Sequence, residues 1–172
     1  MTVEKKIFVF DLNGTLLSRV KENKGTYLDK KKPDAIIPGR GDLIYLRPHL
    51  DKLINYLHEN DITYMLWTTA MEHNGIHLTN LLESKGMTRA IHKYYHAHAT
   101  KLDENSYKRG KDMNKIAELE NVSVKNVFLI DDEIIKCIPE SSYIPIEEYQ
   151  AMNEEDDALI RIIERIKICN GN

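Results

Sequence analysis

KIFVFDLNGTLL, residues 6–17, is the stretch that decides the fold. Ile7 to Phe10 are four consecutive apolar residues, a pattern typical of a buried β-strand. Asp11 follows at once, and Asn13-Gly14-Thr15 is a turn signal. In an open α/β sheet, ligands bind at the carboxyl ends of the strands. The stretch therefore predicts a carboxylate at that edge, where it can act as a nucleophile or hold a metal ion.

Composition and length favour one soluble domain over residues 1–172. The chain is 42% hydrophobic and 30% charged, and its net charge of −3 gives no indication of a nucleic-acid or membrane partner. No apolar run reaches the roughly 18 residues that a membrane span needs. The sequence gives no indication of an oligomeric state.

The amino-terminal residues and the cysteines bear on the compartment. MTVEKK runs directly into the first strand, so no secretory signal is visible. Cys137 and Cys169 could pair, but without a signal reduced thiols are expected. We therefore expect a cytoplasmic or nuclear protein.

Apolar runs and helical periodicity alternate along the rest of the chain. Further strands are predicted at Leu43–Leu46, Ile62–Trp67, Ala90–Tyr95, Asn126–Ile130 and Tyr143–Ile146. Helices are predicted from Arg47-Pro48-His49 to Asn60, over Met71–Ser84, over Lys111–Glu120, and over Glu154–Ile168 with its four acids in the first turn. The alternation predicts an α/β fold with a mostly parallel sheet covered on both faces.

Three apolar strands end in the polar residues Asp11, Thr68 and Asp131, which we expect to meet at one sheet edge. Asp11 and Asp131 could hold one Mg²⁺, with the backbone carbonyl of Asn13 as a further ligand. Asp11 could attack a phosphorus atom and form an aspartyl phosphate. Thr68 would offer a hydroxyl and a backbone N–H, and Lys111 a cation, to the charged transition state.

The segment Ser18–Asp42 is irregular and rich in Lys, Gly and Pro. Long loops within a compact domain are usually functional or disordered. Two interpretations stay open: a solvated, lysine-rich hairpin, or a flap insertion that faces the substrate.

Asp11-Leu12-Asn13-Gly14-Thr15-Leu16 resembles the first motif of the haloacid-dehalogenase-like (HAD) phosphatases, Asp-x-Asp-Gly-Thr-Leu. Trp67-Thr68, Lys111-Asp112 and Asp131-Asp132 stand where that superfamily has its second, third and fourth motifs. The resemblance covers roughly Lys6 to Tyr149. It implies a three-layer, Rossmann-like HAD core.

The finer resemblance is to the small phosphatases of the RNA polymerase II C-terminal domain, the NLI-interacting-factor-like branch. Arg47-Pro48-His49 and Thr68-Thr69-Ala70 carry it, and it implies no large cap domain. It further implies a Mg²⁺-dependent phosphoric monoester hydrolase acting on phosphoserine or phosphothreonine in proteins. The site residues it implies are Asp11, Asn13, Thr68 and Lys111 for catalysis, Thr15, Thr69 and Arg47 for substrate binding, and Asp11, the Asn13 carbonyl, Asp131 and Asp132 for the metal.

Asn13 departs from the motif, because the family has a second Asp there that serves as general acid and base. An amide cannot give or take that proton, and such catalysis is worth typically ~10²–10⁴-fold. The chain could be a phosphatase with impaired turnover, a form substituted to stall an active phosphatase, or a pseudophosphatase that binds phosphoproteins. Asp132 is the nearest spare carboxylate, but the family uses that position for the metal. A phosphatase of small molecules or nucleic-acid ends is a further alternative.

Structural interpretations compete with each functional one. Asp11, Thr68 and Asp131-Asp132 could be turn or helix-capping residues, and Lys111 and Arg47 could be surface charges. Two histidine groups could share a zinc ion, although the cysteines are too distant in sequence to complete a familiar pattern. Those groups are His92, His96 and His98, and His73 with His77.

Overall fold

The structure is a computed structural model that describes residues 4–21, 30–105 and 107–171. In chain order the elements are β1 (Ile7–Phe10), β2 (Leu17–Val20), β3 (Ala35–Ile36), β4 (Leu43–Leu46), α1 (Leu50–Glu59), β5 (Thr63–Trp67), α2 (Glu72–Ser84), β6 (Lys93–Tyr94), β7 (Thr100–Lys101), β8 (Arg109–Asp112), α3 (Met113–Glu120), β9 (Val127–Asp131), β10 (Cys137–Ile138), β11 (Tyr143–Pro145) and α4 (Ala158–Cys169). In this part of the chain no helix has the length and apolar character to cross a bilayer.

The central sheet has five parallel strands in the order β11-β9-β1-β5-β6. β1 lies in the middle, with Phe10 opposite Leu66 on one side and Ile130 on the other. All four residues of β1 are buried, which explains why its sequence is apolar without interruption. The predicted parallel sheet is confirmed.

Helices cover both faces of this sheet. Phe8 and Phe10 point to one face, where they join the core formed with α1, α2 and α4. Ile7 and Val9 point to the other face, where they pack in a core with Met113 and Ile116 of α3. Successive side chains of a strand alternate between faces, so β1 supplies both cores. The three-layer α/β fold is therefore confirmed.

Two smaller sheets flank the central one. β2, β4 and β3 form an antiparallel sheet in the order β2-β4-β3, so the predicted strand Leu43–Leu46 forms but lies outside the central sheet. β10, β8 and β7 form the other sheet. The expected flap at Ser18–Asp42 is described only in part, since residues 22–29 lie outside the described residues. No large cap domain is present in the described ranges.

Lys111 lies on a strand, which corrects its expected place in a helix. β8 ends at Asp112, and α3 begins only at Met113. The Asp112 carboxylate accepts a hydrogen bond from the backbone N–H of Asn114 at 2.9 Å and so caps the helix. The backbone before this cap is extended, and Lys111 pairs with Cys137 of β10.

The last helix also begins later than expected. α4 starts at Ala158, so the acids Glu154–Asp157 precede the helix and do not form its first turn. Asp156 Oδ1 accepts a hydrogen bond from Ala158 N at 3.1 Å, and the same carboxylate pairs with Arg47. This shared carboxylate fixes where the helix begins.

Two further elements differ from the prediction, one strand and one helix. The expected strand Ala90–Tyr95 is reduced to Lys93–Tyr94, the two residues that pair with β5. The helix expected from Arg47 begins at Leu50, because His49 has a left-handed backbone with φ of 70°. The boundaries of the other predicted helices and strands differ from the structure by at most one or two residues, apart from the start of α4.

Candidate active site

The ends of three neighbouring strands bring Asp11, Thr68 and Asp131 together, as the sequence predicts. β1 lies between β5 and β9, so the residues at their carboxyl ends share one edge. Asp11 N donates to the carbonyl of Ile130 at 3.0 Å, which extends the β1–β9 pairing to the site itself. All three side chains are buried. The sheet therefore positions them on rigid backbone.

Lys111 is fully buried between two of these carboxylates. Its Nζ lies 2.8 Å from Asp11 Oδ1 and 2.8 Å from Asp131 Oδ2. Burial alone would lower the pKa of Lys111, but the charges of the two carboxylates raise it. The side chain is therefore a cation at neutral pH, and it is not the solvated surface charge of the competing interpretation.

Asp11 is held as a carboxylate in a fixed orientation. Its Oδ2 accepts a hydrogen bond from Thr15 Oγ1 at 3.0 Å, and its Oδ1 accepts from Lys111. Burial would raise the pKa of Asp11, but the adjacent lysine charge lowers it below its ordinary value. An ionised, immobilised carboxylate is the state that a nucleophile needs.

Asp11, Asp131 and Asp132 form a cluster whose ligand atoms lie within 4.8 Å of one another. Burial, followed by the hydrogen bond to Asp11 and its charge, raises the pKa of Asp132 to about 8. Asp132 Oδ1 is buried and has no hydrogen-bond partner among the described residues. Hard oxygen donors with excess negative charge and an unpartnered oxygen suit a divalent cation such as Mg²⁺.

Gly14 makes this crowding possible. Its φ of 91° lies in the left-handed region, and a Cβ added there would lie 2.6 Å from Asp132 Oδ2. Glycine is therefore required at position 14, because the backbone is left-handed there and because the Asp132 carboxylate leaves no room for a side chain.

A cleft of about 480 Å³ opens above the carboxylates. Asp11, Asn13, Thr68, Thr69, Asp132 and Lys136 are among the residues that line it. Its lining is mostly polar, and Arg19 and Lys136 bring cationic side chains to the same space as the carboxylates. Such a surface suits a small anionic group more than an apolar ligand.

Thr68 contributes less than expected. Its backbone N–H donates to the carbonyl of Tyr94 at 3.0 Å, which corrects the expectation that this N–H is available to a ligand. Its hydroxyl oxygen accepts from Ala70 N at 3.2 Å. The hydroxyl hydrogen can still be donated into the cleft.

Arg47 was expected to bind substrate or to be a surface charge, and the structure contradicts both interpretations. Its side chain is fully buried, and its Nε and Nη2 pair with the two carboxylate oxygens of Asp156 at 2.8 and 2.9 Å. Nη1 donates to the carbonyls of Gly14 and Thr15 at 3.2 and 3.1 Å. Arg47 therefore fastens the turn after Asp11 to the start of α4.

Thr15, also expected to bind substrate, is fully buried and donates its hydroxyl to Asp11. It orients the Asp11 carboxylate and is itself buried away from the cleft. Thr69 does line the cleft, in keeping with the position predicted for it.

Asn13 lies exposed at the rim of the cleft. Its Oδ1 accepts a hydrogen bond from the backbone N–H of Arg19 at 3.0 Å. The amide oxygen is thus tied to β2. This side chain cannot transfer a proton, because an amide neither gains nor loses a proton near neutral pH.

Lys136 is a cleft residue that the sequence does not single out. It lies on a single helical turn, Ile134–Lys136, and its Nζ pairs with Glu133 Oε2 at 2.6 Å. Burial would lower the pKa of Lys136, but the hydrogen bond to Glu133 and the charge of Asp11 raise it. Its only sequence signal is its position a few residues after Asp131.

The zinc alternative finds no support in the described residues. No group of three or more potential metal ligands there includes a histidine or a cysteine. His98 Nδ1 instead accepts the backbone N–H of Tyr95, and His96 Nδ1 contacts the Thr69 carbonyl.

Comparison with known families gives one match that spans nearly the whole chain. The model of the NLI interacting factor-like phosphatases matches residues 6–172. No curated protein sequence matches the chain significantly.

Solved structures share the fold. Fission yeast Fcp1, described as an RNA polymerase II CTD phosphatase and solved as a variant bound to beryllium fluoride, has a TM-score of 0.59 at 14% identity. That match covers 96% of this chain and 50% of that chain, so this chain spans about half the length of the Fcp1 structure. A HAD-superfamily hydrolase from Ehrlichia chaffeensis has a TM-score of 0.55 at 16% identity, covering 98% and 99% of the two chains.

A third structure comes from a small-molecule phosphatase. The 3-deoxy-D-manno-octulosonate 8-phosphate phosphatase of Moraxella catarrhalis, in complex with magnesium, phosphate and KDO, has a TM-score of 0.54 at 12% identity. The match covers 96% of this chain and 87% of that chain. At these identities the likeness concerns the fold alone.

Proposed function

Because the chain belongs to the NLI interacting factor-like phosphatase family, we propose that it is a Mg²⁺-dependent phosphatase domain that works through an aspartyl phosphate at Asp11. We propose phosphoserine or phosphothreonine in a protein as its substrate. The family membership confirms the resemblance carried by the four motifs. The activity, the metal and the substrate class are the proposal.

The observation that carries the proposal is the state of Asp11. Lys111 and Thr15 hold this buried carboxylate ionised and oriented at the floor of a polar cleft. In the first step one of its oxygens bonds to phosphorus while the bond from phosphorus to the substrate oxygen breaks. That oxygen leaves with the bonding electron pair and needs a proton.

The carboxylate cluster fits the metal. Asp11, Asp131 and Asp132 would hold Mg²⁺, with the Asn13 backbone carbonyl as a further ligand. When bound, the ion supplies positive charge that offsets the negative charge of the phosphoryl group and the carboxylates.

Further positive charge and a hydrogen-bond donor come from the chain itself. Lys111 lies between Asp11 and Asp131, and Lys136 reaches the same cleft from the turn after β9. The hydroxyl of Thr68 can donate to a phosphoryl oxygen. Fixed groups of this kind stabilise charge that spreads over the transferring phosphoryl oxygens.

Asn13 sets the limit on turnover. A serine or threonine oxygen leaves poorly without a proton, and water attacks the aspartyl phosphate slowly without a base. Asn13 can supply neither function. We infer that phosphoryl transfer to Asp11 is possible but that completion of the cycle is slow.

A second candidate function follows from the same residue. Asn13 is tied to β2 by the hydrogen bond from Arg19 N, so its amide acts as a structural link at the cleft rim. A chain that keeps the anion-binding cleft without a general acid would bind phosphoproteins and release phosphate poorly. This pseudophosphatase, or adaptor, is the alternative to an impaired enzyme.

Protein substrates suit the open cleft. In the described ranges no cap domain covers it, and the β2–β4–β3 sheet lies at its side through Arg19 and Asn13. An extended segment of a protein could therefore reach Asp11, whereas capped sites enclose small substrates.

The test measures phosphate release from an aryl phosphate, a phosphopeptide panel and a phosphometabolite panel with Mg²⁺. The unmodified chain, the Asn13→Asp form and the Asp11→Asn form are compared. We expect slow release by the chain, an increase of roughly 10²–10⁴-fold in the Asn13→Asp form, and none in the Asp11→Asn form. Robust turnover by the unmodified chain would exclude the impaired enzyme and the adaptor, and an inactive Asn13→Asp form would exclude the phosphatase.

A further inference from the structure

A second groove, which we call the basic groove, adjoins the cleft. It encloses about 450 Å³, and Lys21, Arg40, Asp42, Met71 and Asn74 line it together with four residues that also line the cleft. Those four shared residues are Asn13, Arg19, Thr69 and Ala70. A ligand bound over Asp11 therefore has a continuous path into the basic groove.

The groove carries positive charge that its own acid does not balance. The buried carboxylate of Asp42 accepts from Arg19 Nε at 2.8 Å and from Arg40 Nε at 3.3 Å, both through Oδ2. One carboxylate offsets one of the two guanidinium charges, and Lys21 adds another cation. The described lining thus has three cations and one anion, an excess of two positive charges.

The geometry of the arginines suits an external anion. Asp42 engages the Nε atoms and holds both guanidinium groups at the groove, while the Arg40 side chain remains 50% exposed. Guanidinium groups present several donors in one plane and pair well with carboxylates and phosphates. The amino end of α2, where Met71 provides no side-chain cap, adds partial positive charge to the same wall.

We propose that the basic groove binds an acidic or phosphorylated residue of a peptide whose phosphorylated residue lies over Asp11. The inference rests on the proposed function, since it names a feature of the substrate of that same site. Binding in the basic groove makes the chain selective for peptides in which a second anion lies close to the phosphorylated residue.

The charges of the cleft favour a peptide over a nucleic acid. Glu133 and Glu148 line the cleft itself, so an unbroken run of phosphates would meet negative charge there. A peptide can place an anion in the groove and neutral residues beside the glutamates. The net charge of −3 likewise offers no general attraction to a polyanion.

The spacing of the two anions is short. Arg19 N is bonded to the side chain of Asn13, which is two residues from Asp11, so the groove begins next to the cleft. An extended peptide advances about 3.3 Å per residue, and we therefore expect the second anion within about three residues of the first.

The experiment measures dissociation constants of phosphoserine peptides for the full chain with Mg²⁺. One peptide carries a single phosphoserine, and the others add Asp or a second phosphoserine at each of the three positions on either side. We expect at least one of these peptides to bind about fivefold more tightly than the parent, with the gain decreasing at high salt. The gain should be reduced by Arg40→Ala, which leaves one excess positive charge in the described lining, and abolished by Arg40→Glu, which leaves none.

Arg165→Ala is the matched control. Arg165 is an exposed arginine of α4 that lines neither the cleft nor the basic groove. This control therefore removes an arginine outside both spaces. It should keep the full preference for the second anion.

Four results would overturn the inference. An unchanged preference in Arg40→Ala would show that the basic groove does not cause the preference. Competition by a short oligoribonucleotide at equal concentration would indicate that the groove binds a nucleic acid and not a peptide. Equal binding of all peptides would exclude the second-anion site but would leave the proposed function unaffected. Failure of every phosphopeptide to bind the chain and its Asn13→Asp form would overturn the proposed protein substrate as well.

Discussion

Asn13 has an NH₂ group where an aspartate has a second oxygen, and in the proposed reaction this amide cannot give or take a proton. The surrounding site is complete in other respects, with Asp11 ionised by Lys111 and oriented by Thr15. The two halves of the reaction therefore respond differently to the missing acid. In the proposed reaction, attack by Asp11 depends on the leaving group, whereas hydrolysis of the aspartyl phosphate always depends on a base.

This difference predicts a burst with an aryl phosphate. A nitrophenolate leaves without a proton, so the first step should proceed in the unmodified chain and the phosphoenzyme should accumulate. Rapid-quench kinetics should show release of about one nitrophenolate per chain, followed by a slow steady state. In the Asn13→Asp form the steady state should rise until the burst disappears. A linear time course without a burst in the unmodified chain would contradict slow dephosphorylation.

Lys136 offers a second prediction for a single residue. Its half-buried ammonium group lies at the cleft and is paired with Glu133. Replacement by Met should lower kcat/KM of the Asn13→Asp form about 10- to 100-fold, because one charge that faces the phosphoryl group is removed. Lys125→Met, at an exposed position on a different turn, is the control. Equal kcat/KM values for the two variants would remove Lys136 from the site.

At the scale of elements, the site depends on links between segments that are far apart in the chain. Arg47, just before α1, joins the turn after β1 to the start of α4 through the two carbonyls and the Asp156 carboxylate. β8 in turn carries Lys111 into the sheet edge by pairing with β10. The position of Asp11 is therefore supported by elements that do not touch the cleft.

The Arg47–Asp156 pair gives a stability prediction. Asp156→Asn leaves a buried guanidinium without its counter-charge and should lower the free energy of unfolding by about 3–5 kcal/mol in urea denaturation. Arg161→Ala, which breaks the exposed pair with Glu147, should cost less than about 1 kcal/mol. Similar losses in both variants would mean that the buried pair has no special structural role.

His58 at the end of α1 gives a prediction about pH. Tyr64 Oη accepts a hydrogen bond from Arg89 N at 3.0 Å and is hydrogen-bonded to His58 Nε2 at 2.9 Å. Burial, and then the charge of Arg89, lower the pKa of His58 below 6.5. The folded state thus disfavours the proton that the unfolded state accepts.

The stability contributed by neutral His58 is therefore fully present above about pH 6.5 and is lost as the pH falls through its lower folded pKa. Urea denaturation from pH 7.5 to 5 should show a steeper loss of stability in the unmodified chain than in His58→Gln. The same slope in both proteins would exclude this histidine as a source of acid sensitivity.

At the scale of the whole molecule, the parallel sheet concentrates negative charge at its carboxyl edge. Three carboxylates meet there with one fully buried lysine, while the two cores on either face hold the strands in register. Without a cation this repulsion is relieved by a proton on Asp132, whose pKa is raised to about 8, and a bound cation would take the place of that proton.

Mg²⁺ should therefore stabilise the entire fold. At a concentration tenfold above its Kd, it should raise the free energy of unfolding by about 1.4 kcal/mol and shift Tm upward, as measured by calorimetry with and without EDTA. Asp131→Asn should reduce the shift in Tm, whereas Asp51→Asn, at an exposed position of α1, should retain it. A Tm that does not respond to Mg²⁺ would contradict a metal site at this edge.

The sequence by itself determined the mostly parallel sheet, the buried strand before Asp11 and the position of Asp11 at the end of that strand. These features follow from short-range patterns, because the four apolar residues, the acid after them and the glycine turn all lie within residues 6–17. The order of the motifs also led to the family, and the roles assigned to Asp11, Thr68, Lys111 and the metal ligands stay predictions until the variants are measured.

Tertiary structure alone decided which residues support the site and which can touch a ligand. Arg47 is buried because Asp156, 109 residues later, meets it, and no local pattern encodes that pairing. Lys111 lies on a strand because β10 pairs beside it. Arg19 shares the cleft with Lys136 and the basic groove with Arg40 only after distant turns are brought together. The physical reason is that periodicity reports burial on one element, whereas charge pairing and cleft lining depend on contacts between elements.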